Sequence, residues 1–215
     1  MEEYLKDIPA DVSEKGISKV LLVRHEVIHI KHILTEIYHR ESVKIEPILD
    51  MLGMTHFQYV KDMTIKLRRV HKLSRNFKVD PNVVVNYDYS SFFKYIDLTK
   101  NFSSVIVLDY DGVITSNSFA PLYKLCLDRS KTIICSANPN AGEQFTRLEL
   151  PFPNKIKANR GKIKKLRTLL DISRKHDYTF YVDDEEAYLK IAWLFGIKTF
   201  LYSHGKIKHY SLNTK

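Results

Sequence analysis

Residues 104–113 read Ser104-Val105-Ile106-Val107-Leu108-Asp109-Tyr110-Asp111-Gly112-Val113, an apolar β-branched run that stops in two acids and a glycine. Such a run predicts a buried strand. Strands that are hydrophobic throughout suit the interior of a parallel sheet covered on both faces. Ligands of these sheets bind just beyond the carboxyl ends of the strands, which puts Asp109 and Asp111 at the mouth of a site. Gly112 lets the chain turn away where a side chain would block a ligand. Two carboxylates one residue apart repel each other unless a cation sits between them, and an all-oxygen site favours magnesium. Read alone, the stretch also fits a simple turn or a calcium loop.

Working outward, residues 101–215 alternate strands and helices, the signature of an α/β domain with a parallel sheet. Strands are predicted over 104–109, 132–136, 179–183 and 198–202, with a weaker one at 155–157. Helices fit between them at 121–128, 161–173 and 185–195. The first hundred residues read instead as a helical region. Residues 1–16 form a lead-in, and Val20, Val23, Val27, Ile30, Leu34 and Ile37 mark one face of an amphipathic helix over 18–40. A short helix over 44–52 stops at Gly53, and Thr55 caps a third over 56–77. Asp80-Pro81 opens a brief segment to residue 85, and 89–98 reads as one more short helix.

Two features of this region have bland alternatives. His25, His29 and His32 share helical spacing, but no obvious carboxylate or cysteine completes a metal set, so a polar helix face is the better reading. Lys66, Arg68, Arg69, Lys72, Arg75 and Lys78 form a basic run that fits either nucleic acid or a solvated helix face.

The chain of 215 residues is 44% hydrophobic and 27% charged, enough to bury a core and far from a disordered tail. Cys126 and Cys135 form no redox or ligand motif and lie in apolar surroundings. They are expected as reduced core residues of an intracellular protein, cytoplasmic or nuclear. The first fifteen residues carry no secretory pattern, and no apolar run is long enough to span a bilayer, so no membrane partner is expected. The net charge of +9 points towards polyanions or phosphorylated partners.

Three further pieces fall at element ends. Thr132-Ile133-Ile134-Cys135-Ser136 is a strand ending in a hydroxyl, which alone is an ordinary helix cap or turn. Tyr178-Thr179-Phe180-Tyr181-Val182-Asp183-Asp184 ends in paired acids, which alone open a helix. Between them, Lys155, Lys157, Arg160, Lys162, Lys164, Lys165, Arg167, Arg174 and Lys175 concentrate positive charge, with Asp171 the only acid from 155 to 175.

Taken together and in this order, the four pieces resemble the haloacid-dehalogenase-like superfamily from about residue 101 to 205. Asp109-Tyr110-Asp111-Gly112-Val113 looks like the family's first motif, Ser136 like the second, and Asp183-Asp184 like the fourth. Lys162 is the choice for the third-motif lysine, with Lys157 as runner-up and Lys155 also open. The resemblance implies a Rossmann-like parallel sheet and a phosphatase in which Asp109 attacks phosphorus and forms an aspartyl-phosphate. Asp111 then serves as acid and base, while Ser136 and Lys162 hold the phosphoryl oxygens. Mg²⁺ is implied on Asp109, Asp183 and the Asp111 backbone carbonyl, with Asp184 orienting ligands or water. An acid at position 111 favours phosphoester hydrolysis over dehalogenation. Lys164, Lys165 and Arg167 are expected on the outer rim.

Segments 114–120 and 137–154 are too short for a sizeable cap domain. The implied core is therefore capless and open to a phosphorylated macromolecule, protein or nucleic acid. The helical region, the capless core and the biased composition are also similar to the phosphatase-like nucleocapsid-assembly proteins of baculoviruses and related large DNA viruses. That similarity brings a rival expectation, a non-catalytic or weakly catalytic nucleic-acid assembly factor. A small-molecule phosphatase covered by the N-terminal helices is a third.

Overall fold

The computed structural model describes residues 45–76, 92, 93, 96 and 103–210, with side chains of the long second helix described as far as residue 66. The first described elements are helices α1 (Glu46–Leu52) and α2 (His56–Asn76). Strand β1 (Ser104–Leu108), helix α3 (Ala120–Arg129), strand β2 (Lys131–Ser136) and helix α4 (Ala141–Phe145) follow. The chain continues with strand β3 (Lys155–Ala158), helix α5 (Lys162–Lys175) and strand β4 (Tyr178–Asp183). The last described elements are helix α6 (Glu186–Leu194) and strands β5 (Lys198–Ser203) and β6 (Lys206–His209).

The described strands make one six-stranded sheet in the order β3-β2-β1-β4-β5-β6. All pairings are parallel except β5 with β6, which is antiparallel across the two-residue turn at His204-Gly205. The expected α/β class is therefore observed. Strand β6 was not foreseen, because Lys206-Ile207-Lys208-His209 alternates charge with single apolar residues and lacks the continuous apolar run of the inner strands. Lys155-Ile156-Lys157 on β3 has the same pattern, and these two strands are the ends of the sheet order.

Period-two alternation divides the core. Val105 and Val107 of β1 join Ile133, Cys135 and Tyr181 in a cluster beneath α1, α2, α5 and α6. Ile106 and Leu108 join Ile134, Phe180, Val182 and Phe200 in a second cluster on the opposite face, with Tyr123 and Cys126 of α3 and Phe145 of α4. Phe92 and Ile96 are buried in that second cluster. They lie in the helix predicted over 89–98, the rest of which, Phe93 apart, falls outside the described residues. The helix predicted over 18–40, the three histidines and the segment at 80–85 also lie outside them, as do the basic side chains beyond Lys66.

The end of α1 and the start of α2 follow from their sequence. Gly53 closes α1 at φ 62°, the left-handed region that glycine tolerates. Thr55 and Gln58 form a reciprocal capping box at the start of α2: the Gln58 N–H donates to Thr55 Oγ1 (3.2 Å) and the Thr55 N–H to Gln58 Oε1 (2.9 Å). Arg174 of α5 grips Asp62 of α2 at 2.7 Å. Tyr59 donates to the Leu194 carbonyl (3.0 Å) and Lys66 to that of Phe195, satisfying orphan acceptors where α6 ends. Because α6 starts at the carboxyl end of β4 and runs back along the sheet, these two anchors lie at the end away from Asp183. Among the described residues, no helix is long and apolar enough to cross a membrane.

Candidate active site

The strand order reverses direction between β1 and β4, and a crevice outside the carboxyl ends of such a pair is where open α/β sheets bind ligands. Leu108 pairs with Val182, and the Asp109 N–H donates to the Val182 carbonyl at 3.0 Å. Asp109 and Asp183 therefore stand side by side one step beyond the last pair. Both are buried, Asp183 completely.

Lys165 resolves the repulsion between them. Its Nζ lies 2.8 Å from Asp109 Oδ1 and 2.8 Å from Asp183 Oδ2, with only 1% of the residue exposed. The Tyr188 ring covers the ammonium at 4.0 Å and adds a cation–π contact. Burial works against the Lys165 charge, but Asp183 and Asp109 outweigh it and hold the ammonium protonated. Asp183 has further donors: Tyr181 gives its hydroxyl hydrogen to Oδ2, and the Glu185 N–H reaches Oδ1 at 2.8 Å.

Beyond β1 the chain makes a wide turn over Tyr110–Ile114, with Asp111 extended (φ −72°, ψ 133°) and Gly112 at φ 77°. This lifts Asp111 to the exposed mouth, where its Oδ2 accepts the Ser136 hydroxyl at 3.2 Å. Ser136 Oγ itself accepts the Asn138 N–H at 2.9 Å, so the buried hydroxyl is oriented from both sides. Asp184 leans over the turn against Gly112.

Carboxylate oxygens of Asp109, Asp183 and Asp184 lie within 4.8 Å of one another and could hold a metal ion. The donor set suits a hard divalent cation such as Mg²⁺. The electrostatics agree. Burial, then the charge of Asp183, push the Asp109 carboxyl up to about 7 despite Lys165, and burial and Asp183 also raise Asp184. One ammonium does not balance three carboxylates, and a cation would relieve the excess. Asp111 is outside this trio; its side chain goes to Ser136 instead.

Asp109, Asp111, Ser136, Asp183 and Asp184 thus converge as the sequence suggested, but the lysine is corrected. Lys162 opens α5 at the surface, 70% exposed, with its Nζ 3.0 Å from Glu185 Oε1. Neither Lys155 nor Lys157 takes its place, since both lie on the end strand β3. The lysine between the acids is Lys165, which had been expected on the rim. Helical geometry gives the reason: Lys165, Leu166, Leu169, Leu170, Ile172 and Ser173 form the buried stripe of α5. A lysine at the head of an apolar stripe must meet a counter-ion, and that signal was present in the sequence. Of the other rim candidates, Lys164 is exposed and Arg167 turns to donate to the Leu52 carbonyl at 2.8 Å.

Asn159 was also missed. Its Nδ2 donates to the carbonyls of Ser136 (3.0 Å) and Lys157 (2.9 Å), while its Oδ1 accepts the Thr168 hydroxyl (2.8 Å). This clip fastens α5 to β2 and β3 and so sets the depth of Lys165. Fold and site together define a doubly wound α/β protein with a carboxylate–lysine cluster at its switch point. Comparison with protein-family models, curated proteins and solved structures finds no match.

Proposed function

We propose that this chain is a Mg²⁺-dependent phosphomonoester hydrolase of the haloacid-dehalogenase type, working through an aspartyl-phosphate on Asp109. The observation that carries this reading is the position of Lys165, 2.8 Å from both Asp109 and Asp183 at the switch point of the sheet. With Oδ1 of Asp109 engaged by that ammonium, Oδ2 is the oxygen for in-line attack on phosphorus. The bond from phosphorus to the leaving oxygen breaks as the Asp109–phosphorus bond forms, and Asp111, exposed at the mouth, protonates the leaving oxygen. A water then attacks the acyl-phosphate, Asp111 takes its proton, and phosphate and free Asp109 are released. Ser136 orients Asp111 for both steps. Lys165 supplies fixed positive charge beside the developing phosphoryl charge in a water-poor site. Bound Mg²⁺, held by Asp109, Asp183 and Asp184, would supply Lewis-acid neutralisation of the phosphoryl oxygens.

The substrate reading is a phosphate carried on a macromolecule, protein or nucleic acid. It is supported by the short connections around the mouth. Only Thr115 to Phe119 separate the turn after β1 from α3, and between β2 and β3 there are only α4 and one turn at Thr146–Leu148. Helix α2 is anchored at the far end of α6, away from the mouth. The test is Mg²⁺-dependent phosphate release from an aryl phosphate, a phosphopeptide panel and a 3′-phosphorylated oligonucleotide. Wild type is compared with Asp109→Asn. Release that persists in Asp109→Asn overturns the mechanism; no release from any substrate leaves the assembly-factor reading in its place.

A further inference from the structure

Tyr181 is a fully buried residue of β4, two positions before Asp183 and so on the same face of the sheet. Its companions on that face are apolar: Val105, Val107, Ile133 and Cys135. Phenylalanine would bury a ring of nearly the same size there. A phenol hydroxyl in such surroundings is costly unless it has a partner, and its partner is Asp183 Oδ2. That oxygen also takes the Lys165 ammonium, while Oδ1 takes the Glu185 N–H. The carboxylate is therefore held at both oxygens by three donors, from its own strand, from α5 and from the start of α6. Rotating it would break at least one of these bonds.

We propose that Tyr181 is a positioning residue for the cation site. Its hydroxyl fixes the Asp183 carboxylate in the orientation that faces Asp109 and Asp184 before any cation arrives. The inference rests on reading those three carboxylates as a metal site. Hydrogen-bond partners of ligating groups typically matter by 10–100-fold in metal affinity. Tyr181→Phe removes one oxygen and keeps the ring, so a loss of that size is expected with the fold retained.

The test is calorimetric titration of the full chain with Mg²⁺, alongside thermal melting. The set is wild type, Tyr181→Phe, Tyr181→Met, Asp183→Asn and Tyr123→Phe. Tyr181→Met supplies a second hydroxyl-free variant should phenylalanine fail to fold. Tyr123→Phe removes another buried hydroxyl, one that donates to the Pro151 carbonyl at 2.8 Å on the opposite face of the sheet. The expected result is Mg²⁺ binding 10–100-fold weaker in whichever Tyr181 variant folds, wild-type affinity in Tyr123→Phe, and no binding in Asp183→Asn. Wild-type affinity in a folded Tyr181 variant overturns the role of Tyr181 alone. An equal loss in Tyr123→Phe overturns it too, by making the effect one of general destabilisation. Undiminished binding in Asp183→Asn instead removes the metal-site reading on which the inference stands.

Discussion

The backbone at Gly112 touches the carboxylate of Asp184 so closely that a Cβ there would fall 2.0 Å from Asp184 Oδ2. With φ at 77°, the position already favours glycine on backbone grounds alone. The turn after β1 and the acid after β4 therefore fit only as a pair. Gly112→Ala must move one of them. The expected result is a stability loss of about 1–3 kcal/mol, with Mg²⁺ affinity reduced because Asp184 is pushed out of the trio. Denaturant unfolding and a Mg²⁺ titration check the two halves separately.

Lys165 and Lys162 separate a buried ion cluster from a surface pair. Lys165→Met leaves Asp109 and Asp183 buried without their cation, a loss that typically costs about 3–5 kcal/mol. Turnover on an aryl phosphate should fall at least 100-fold. Lys162→Ala breaks an exposed pair with Glu185 and a peripheral contact with the Tyr188 ring at 5.6 Å, and should change stability by less than about 1 kcal/mol. Its turnover on the same small substrate should match wild type. Equal kinetic losses in the two variants would restore Lys162 to the site.

The raised Asp109 carboxyl gives the chelated protein a characteristic pH dependence. The folded state holds this proton more tightly than the unfolded chain, with the carboxyl at about 7 against an ordinary 3.8. Its stabilising contribution is complete below about pH 4 and is lost as pH rises through 7. Asp109→Asn has no such proton, so in EDTA its stability should decline less than that of wild type between pH 5.5 and 8.5. The difference between the two melting curves isolates Asp109 from other titrating groups. A parallel pair of curves would count against the shift.

The two thiols should be silent in the native protein. Cys126 and Cys135 are free and fully buried, and burial pushes each thiol up to about 12. Ellman's reagent at pH 8 should titrate neither in native protein and both in guanidinium. Fast reaction of either under native conditions would show that its side of the core opens readily.

What the sequence made legible were the acids, because each ends an apolar run that has no reason to stop in a carboxylate. Asp109, Asp183 and the hydroxyl of Ser136 were found that way, and the pairing of β1 with β4 then brings the two aspartates together. Lys165 was misplaced because a basic segment hides which of its lysines turns inward. Only the phase of Leu166, Leu169 and Ile172 reveals it. Tyr181 was invisible for another reason: an aromatic residue in a strand needs no explanation until its hydroxyl is seen on Asp183. Asn159 acts through backbone carbonyls brought near by β-pairing, which no local pattern records.

The sheet also carries its own protection against aggregation. Its end strands among the described residues bear the same tripeptide, Lys155-Ile156-Lys157 on β3 and Lys206-Ile207-Lys208 on β6, whereas the inner strands β1 and β4 are buried almost throughout. An end strand with a smooth apolar surface would be a template for another chain. Lysines at alternate positions make such stacking an encounter between like charges. The cost of the antiparallel strand β6 is thus small and its benefit collective: it covers β5 with a strand that discourages further growth. Replacing those four lysines by threonine would leave the acid cluster intact and yield protein that precipitates on concentration.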